Sequence, residues 1–342
     1  MALSEHILSK SKFHSAFDRV IRNSSQEQIV ILVTTFICVI FCIFLDGFAS
    51  SSNLIALARD VSVLGILGIG MAVVVVSRGL DLSQVATMAV SSAWVFKLIN
   101  DGFPITYALI LGLAMAIAFG VINGALIAYI EMPALFVTLA MGFLVAGTVR
   151  TGLLGGELIH YLPKSAENLL FMGQGRVAGI PVPVILFVII ALGTHLFLSK
   201  TSYGAFIYAH GDNENTARLT GISVRPLTIL EYVLCAVIGY IAGVIMASSV
   251  GSVDLRIINS TLIFDAILVV VLGGISLSGG RGSIVSVVVG TALIGILLNG
   301  MTIMNLPGEI QNIVKGFVLL GAILIDKYLH PVDEEVVRQG DL

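Results

Sequence analysis

Residues 199–226 read SKTSYGAFIYAHGDNENTARLTGISVRP, a polar island between two long apolar runs. Asp212 or Asn213 supplies a helix cap, Glu214 sits in the first turn where an acid is favoured, and Gly221 stands where a helix ends in the left-handed conformation. The reading is one short helix over 213–220. A helix of that length is marginal alone in water, so it forms against a partner surface.

The runs on either side set the class. Of 342 residues 57% are hydrophobic and 11% charged, with a mean hydropathy of +1.03; a soluble domain carries about 25% charged residues. The chain is an integral membrane protein. Its net charge of -3, with 18 basic residues spread along the chain, forms no basic patch and excludes a nucleic-acid partner. Cys38, Cys42 and Cys235 lie in apolar runs without metal or disulfide spacing and read as packing residues.

Residues 29–45 reach the lower limit for crossing about 30 Å of hydrocarbon. After the cap at 50–53, Arg59 and Asp60 interrupt the next apolar run, which suggests an interfacial turn before a span from Val61. Further spans are expected at 82–99, 105–130, 133–154, 181–198, 227–249, 262–275, 283–304 and 310–328. The expected fold is an all-α polytopic membrane protein of about ten transmembrane helices plus the short helix in the polar island. The stretches 82–99 and 262–275, the second short and carrying Asp265, are either spanning or re-entrant. Trp94, Tyr107, Tyr129 and Tyr328 fall near expected span ends, as in an interfacial aromatic belt.

Lys10, Lys12, Arg19, Arg22, Arg78, Lys200, Arg218, Arg225, Arg281, Lys327 and Arg338 fall on one side of this topology, 11 of the 18 Lys and Arg, a modest bias that favours a cytoplasmic side holding both termini. The boundaries are a cytoplasmic tail at 1–28, a membrane domain at 29–328 with an external loop at 155–180 and a cytoplasmic loop at 199–226, and a second tail at 329–342. The external loop holds enough polar and apolar residues for a short surface helix.

No phosphate-binding GxxxxGK[ST] loop, HExxH zinc helix or GxSxG elbow is present, and the six His residues are scattered. The chain is not read as an enzyme, and it binds no cofactor or metal of its own. What stands out is polar residues inside apolar runs. Asp81 and Ser83, in Gly79-Leu80-Asp81-Leu82-Ser83, either line a passage or, for Asp81, cap the helix that follows. Asn123 and Asn299 bond a neighbouring helix or a passing polar solute. Gly273 and Gly274 allow close backbone approach, as a hinge or as a packing turn. Glu231 is expected to pair with Arg225 or Arg218, whereas Asp265 and Arg256 either pair externally or contact an external partner, and the sequence does not choose between the two. Residues 74–83 parallel 269–278, a weak internal duplication of the kind that frames transport pathways.

The run Gly211-Asp212-Asn213-Glu214-Asn215-Thr216-Ala217-Arg218-Leu219-Thr220-Gly221-Ile222 resembles the cytoplasmic coupling loop of ribose-type sugar permeases, the membrane subunits of bacterial ATP-binding-cassette importers. Asn215 and Thr216 stand where that pattern carries small alanine-like residues. The Asp81 and Gly273 stretches resemble two further signatures of the same family, in the same order. The resemblance implies an inner-membrane permease that imports a sugar or polyol by alternating access. Its implied partners are a cytoplasmic ATPase that uses the ATP, a periplasmic solute-binding protein, a second permease copy or related permease, and membrane lipid. It assigns ATPase coupling to Gly211, Asn213, Glu214, Ala217, Arg218, Leu219, Gly221 and Ile222, with Leu219 and Ile222 as apolar anchors. The competing reading is an ion-coupled secondary transporter, which needs intramembrane carboxylates at its coupling sites.

Overall fold

A computed structural model describes residues 26–329. Its helices, in chain order, are α1 (Gln26–Phe44), α2 (Ser51–Val76), α3 (Gln84–Asn100), α4 (Ile105–Ile130) and α5 (Ala134–Gly152). A hairpin region follows, with β1 (Ile159–Tyr161), α6 (Leu170–Gln174), β2 (Arg176–Val177) and β3 (Ile180–Pro181). Then come α7 (Val182–Lys200), α8 (Ser202–Asp212), α9 (Glu214–Leu219), α10 (Val224–Val250), β4 (Ser252–Asp254), α11 (Leu262–Leu272), α12 (Ile284–Ile303) and α13 (Gly308–Leu329).

Among the described residues six helices, α2, α4, α5, α7, α10 and α12, are long and apolar enough to cross a membrane, fewer than the ten expected. The apolar part of α1, Gln28–Phe44, is shorter, and α11 has 11 residues. At 1.5 Å per residue α11 reaches ~16 Å, about half the hydrocarbon thickness. The tails, at 1–25 and from 330 on, lie outside the described residues.

The core is built on α2. No interfacial turn precedes Val61: the helix runs unbroken for 26 residues from Ser51, and the Ser50 hydroxyl accepts from the Asn53 N–H at 3.3 Å. Every residue from Ser62 to Val76 is buried, because α7, α10, α11 and α12 surround it. The central helix α3 is buried except at Trp94, Lys97 and Asn100, enclosed by α4, α5 and α10. Trp94 therefore packs half-buried against the core instead of joining a belt, while Tyr107 and Tyr129 are exposed at the two ends of α4.

Helix α4 carries Gly112, Ala116, Gly120 and Gly124 at four-residue spacing, all buried. The stripe lets α10 approach to backbone contact: a Cβ on Gly120 would lie 2.8 Å from the Tyr232 carbonyl, and one on Gly124 2.5 Å from the Ile229 Cα. Small residues at such seams are how apolar helices associate where no hydrophobic difference separates helix from lipid. The outward faces of α5, α7 and α13 expose Phe136, Phe143, Val188 and Phe317, side chains suited to lipid contact.

At the far end from α8 and α9, β1 pairs antiparallel with β4, Ile159 opposite Asp254. Arg256 closes on Asp254 at 2.6 Å, so it is not the partner of Asp265. The Asp265 partner is Lys315 of α13, at 2.8 Å, and that ammonium also donates to Thr261 Oγ1 at 2.9 Å. The long side chain of Lys315 spans the gap between α11 and α13, a pairing that sequence distance hides.

Candidate functional site

The polar island folds as two short helices, not one. Thr201 caps α8, its hydroxyl accepting from the Gly204 N–H at 3.2 Å. Of the two expected caps for the next helix, Asn213 does the work: its Oδ1 accepts from the Thr216 N–H at 3.0 Å. Glu214 and Arg218 pair at 2.6 Å, one turn apart, and Gly221 turns the chain at φ 87°.

The two faces of α9 differ. Ala217 is 3% exposed and faces inward, whereas Leu219 is 88% exposed and projects outward. Ile222 packs against the core, with its N–H bonded to the Ala217 carbonyl at 3.1 Å. The expected pair of apolar anchors therefore divides, Ile222 holding the hairpin to its own chain and Leu219 free for another surface.

Behind the hairpin lies a pocket of about 420 Å³, lined among others by Arg78, Glu131, His210, Arg218, Glu231 and Tyr232. Glu231 is 1% exposed and bonds His210 Nδ1 at 3.2 Å. It pairs with neither Arg225 nor Arg218, because its position in α10 turns it toward the C-terminal end of α8. Arg225 instead meets Glu131 at 3.5 Å and lies over the Tyr129 ring, 5.5 Å from its centre.

Two breaks in the buried helices converge on this hairpin. After α2 the chain enters the left-handed region at Arg78, φ 66°, and the Gly79 N–H returns to the Val74 carbonyl at 2.9 Å. After α11 the chain does the same at Gly274, φ 94°, with the Ile275 N–H on the Val270 carbonyl at 3.1 Å. Each break then closes a side-chain turn, Ser83 N–H to Asp81 Oδ1 at 2.9 Å and Ser278 N–H to Ser276 Oγ at 3.3 Å. The duplicated sequence thus has a duplicated local fold, its left-handed residue displaced by one position. A non-glycine residue in the left-handed region costs roughly 1–3 kcal/mol, so Arg78 is held there by its surroundings.

The breaks touch the hairpin directly. The Gly280 N–H bonds the Val76 carbonyl at 2.8 Å, and the Tyr208 hydroxyl donates to the Gly282 carbonyl at 2.8 Å. Burial pushes the Tyr208 phenol above its ordinary pKa, which keeps that donor protonated. Arg78 reaches from the first break to the Asp212 carbonyl at the end of α8. Gly211 has no room for a side chain, since a Cβ would fall 1.8 Å from the Val76 carbonyl.

Asp81, Ser83 and Asn123 form one cluster: the Ser83 hydroxyl donates to Asp81 Oδ1 at 2.5 Å and accepts from Asn123 Nδ2 at 2.8 Å. Thr138 of α5 clamps the same turn, donating to the Leu80 carbonyl and accepting from the Leu82 N–H, each at 3.1 Å. Asp81 thus organises the turn before α3 without capping the helix, whose N-cap position is Ser83. Asn299 is elsewhere, in a reciprocal amide pair with Asn53 at 2.9 and 3.0 Å. Gly273 packs α11 on α12, a Cβ there lying 2.4 Å from the Ser286 carbonyl. The six expected pathway or hinge residues therefore occupy three places. Arg78 and Tyr208 were not among the expected site residues; the glycine run at 273–282 carried the signal for close backbone approach.

Fold and site together define a multi-pass α-helical membrane protein whose buried helix breaks are bonded to a projecting two-helix hairpin. The chain belongs to the family described as branched-chain amino acid transport system permease components, which it matches over residues 53–323. It is 32% identical over 244 residues to the ribose import permease protein RbsC of Escherichia coli (strain K12), covering 71% of this chain and 76% of that one. It is 36% identical over 260 residues to the protein of the same name from Bacillus subtilis (strain 168), covering 75% and 79%. To the galactofuranose transporter permease protein YtfT of E. coli (strain K12) it is 34% identical over 246 residues, covering 72% and 70%. No solved structure matches the chain. The protein is a transport permease component and a multi-pass membrane protein.

Proposed function

We propose that this chain is the permease subunit of an ATP-binding-cassette importer for a sugar or sugar-like polyol. The family description names branched-chain amino acids, but the relatives at 32%, 36% and 34% identity carry ribose and galactofuranose in their names. Those relatives favour a sugar over an amino acid.

In this reading α8 and α9 face the cytoplasm, where a separate ATPase hydrolyses ATP, and α9 is the coupling helix. The β1–β4 region faces a periplasmic solute-binding protein. About ten segments lie in the membrane, α1, α3, α11 and α13 joining the six helices named above, with both termini cytoplasmic and the tails at 1–28 and 329–342 flanking the membrane domain. A second permease copy or a related permease completes the pathway. The chain needs no cofactor of its own. Alternating access follows if ATP binding in the partner moves the hairpin and biases two states of the helix core.

The observation that carries the coupling role is Leu219, a large apolar side chain almost fully exposed at the tip of a hairpin bonded to the core. Gly211, Asn213, Gly221 and Ile222 shape that hairpin, and Glu214 with Arg218 orients α9. Ala217 faces inward, so a tryptophan there would collide with the hairpin's own bed. Leu219→Glu is the cleaner probe. In vesicles holding the permease, its ATPase and its binding protein, Leu219→Glu should abolish ATP-dependent sugar uptake and release the ATPase from the membrane, with the permease still inserted. Wild-type uptake and retention would exclude Leu219 from the docking surface. Uptake by the native protein driven by an ion gradient without any ATPase would instead support the ion-coupled reading.

A further inference from the structure

A six-residue helix moved by a partner transmits nothing unless it is tied to what must move, and α9 is six residues long. The connection runs through α8. Its last carbonyls lack intrahelical donors, as at every helix C-terminus, and a guanidinium is well suited to them. Arg78, just past the buried half of α2, donates to the Asp212 carbonyl across 134 residues of sequence.

Three further contacts enclose that bond. The Gly280 N–H bonds the Val76 carbonyl at 2.8 Å, Tyr208 bonds the Gly282 carbonyl at 2.8 Å, and the Arg78 stem lies where a Cβ on Gly279 would come within 2.4 Å of its Cγ. Arg78 also holds φ 66°, a conformation that glycine adopts freely and arginine does not. The matching break after α11 has glycine at that position, Gly274 at φ 94°. An arginine at a position that glycine would fill without strain points to a use for its side chain.

We propose that Arg78 is a coupling residue, a guanidinium latch that holds the end of α8 to the end of α2 so that displacement of the hairpin moves α2 and the 279–282 turn together. This deepens the importer reading and rests on it. The latch is a positioning device: it touches neither ATP nor solute, and its loss should separate ATP hydrolysis from transport.

The test compares wild type, Arg78→Gly and Arg78→Lys in vesicles with the ATPase and binding protein, reading ATP hydrolysed per sugar taken up. Glycine keeps the left-handed backbone without strain and removes only the side chain. Arg78→Gly should raise the ratio about tenfold, within the range of ordinary coupling energies. Arg78→Lys, which keeps one cationic donor, should fall between the two. Should Arg78→Gly fail to insert, Tyr208→Phe removes a single neighbouring hydrogen bond and should raise the ratio in the same direction. A wild-type ratio in Arg78→Gly, or in Tyr208→Phe where it is the variant that inserts, overturns the latch. If the wild-type protein itself shows no ATP-driven uptake, the importer reading fails first, so the two failures are distinct.

Discussion

At the residue scale the informative groups are the charges that the apolar core tolerates. Lys315 and Asp265 face each other with side chains only 11% and 12% exposed. Removing one partner of such a pair leaves an uncompensated charge and costs about 3–5 kcal/mol, whereas replacing both with apolar groups of similar volume is close to neutral. Lys315→Met is therefore expected to lower the thermal unfolding temperature of the purified protein, and Lys315→Met with Asp265→Leu to recover most of it. Equal losses in the single and double variants would mean that the pair contributes through something other than charge. The same logic separates Asp265 from Arg256, which is satisfied two residues away by Asp254.

At the element scale the molecule depends on backbone proximity between α4 and α10. The two helices make an intimate seam because Gly112, Ala116, Gly120 and Gly124 present no bulk, and Tyr240 closes it by donating to the Leu109 carbonyl at 2.8 Å. Overpacking a closely fitted core costs typically ~1–3 kcal/mol, and more where only backbone can give way. Gly124→Leu should accordingly reduce the amount of folded permease recovered in detergent and lower its unfolding midpoint. Gly147→Leu on α5, where nothing lies within 4 Å of an added Cβ, is the control and should be neutral. The spacing of these glycines was visible in the chain, but the partner helix was not, since α10 begins nearly a hundred residues after α4 ends.

At the scale of the whole molecule the two polar ends should face opposite sides of the membrane. A cysteine at Leu219, 88% exposed, and one at Val177, 50% exposed, each in a background with Cys38 and Cys42 replaced by Ser, should react with a membrane-impermeant thiol reagent from opposite sides, Leu219→Cys from the cytoplasm. Labelling of both from one side would overturn the topology. Mean hydropathy, the length of the apolar runs and the composition of residues 199–226 were enough to establish a polytopic helical protein with a structured polar hairpin, because lipid leaves the backbone few ways to bond itself. Some helix limits were legible for the same reason, as at 105–130, whereas the helix expected from Val61 begins at Ser51. A cap at Asp212 or Asn213 and the turn at Gly221 were legible too, since caps and left-handed turns depend on side chains a few positions away; the structure chose Asn213. What the chain alone left open was every contact made across it: His210 with Glu231, Asn53 with Asn299, Lys315 with Asp265, Arg78 with the end of α8. Those partners are chosen by which helix faces meet, a property of packing in three dimensions. Only the tertiary structure decided that the two helix breaks meet the hairpin at one place.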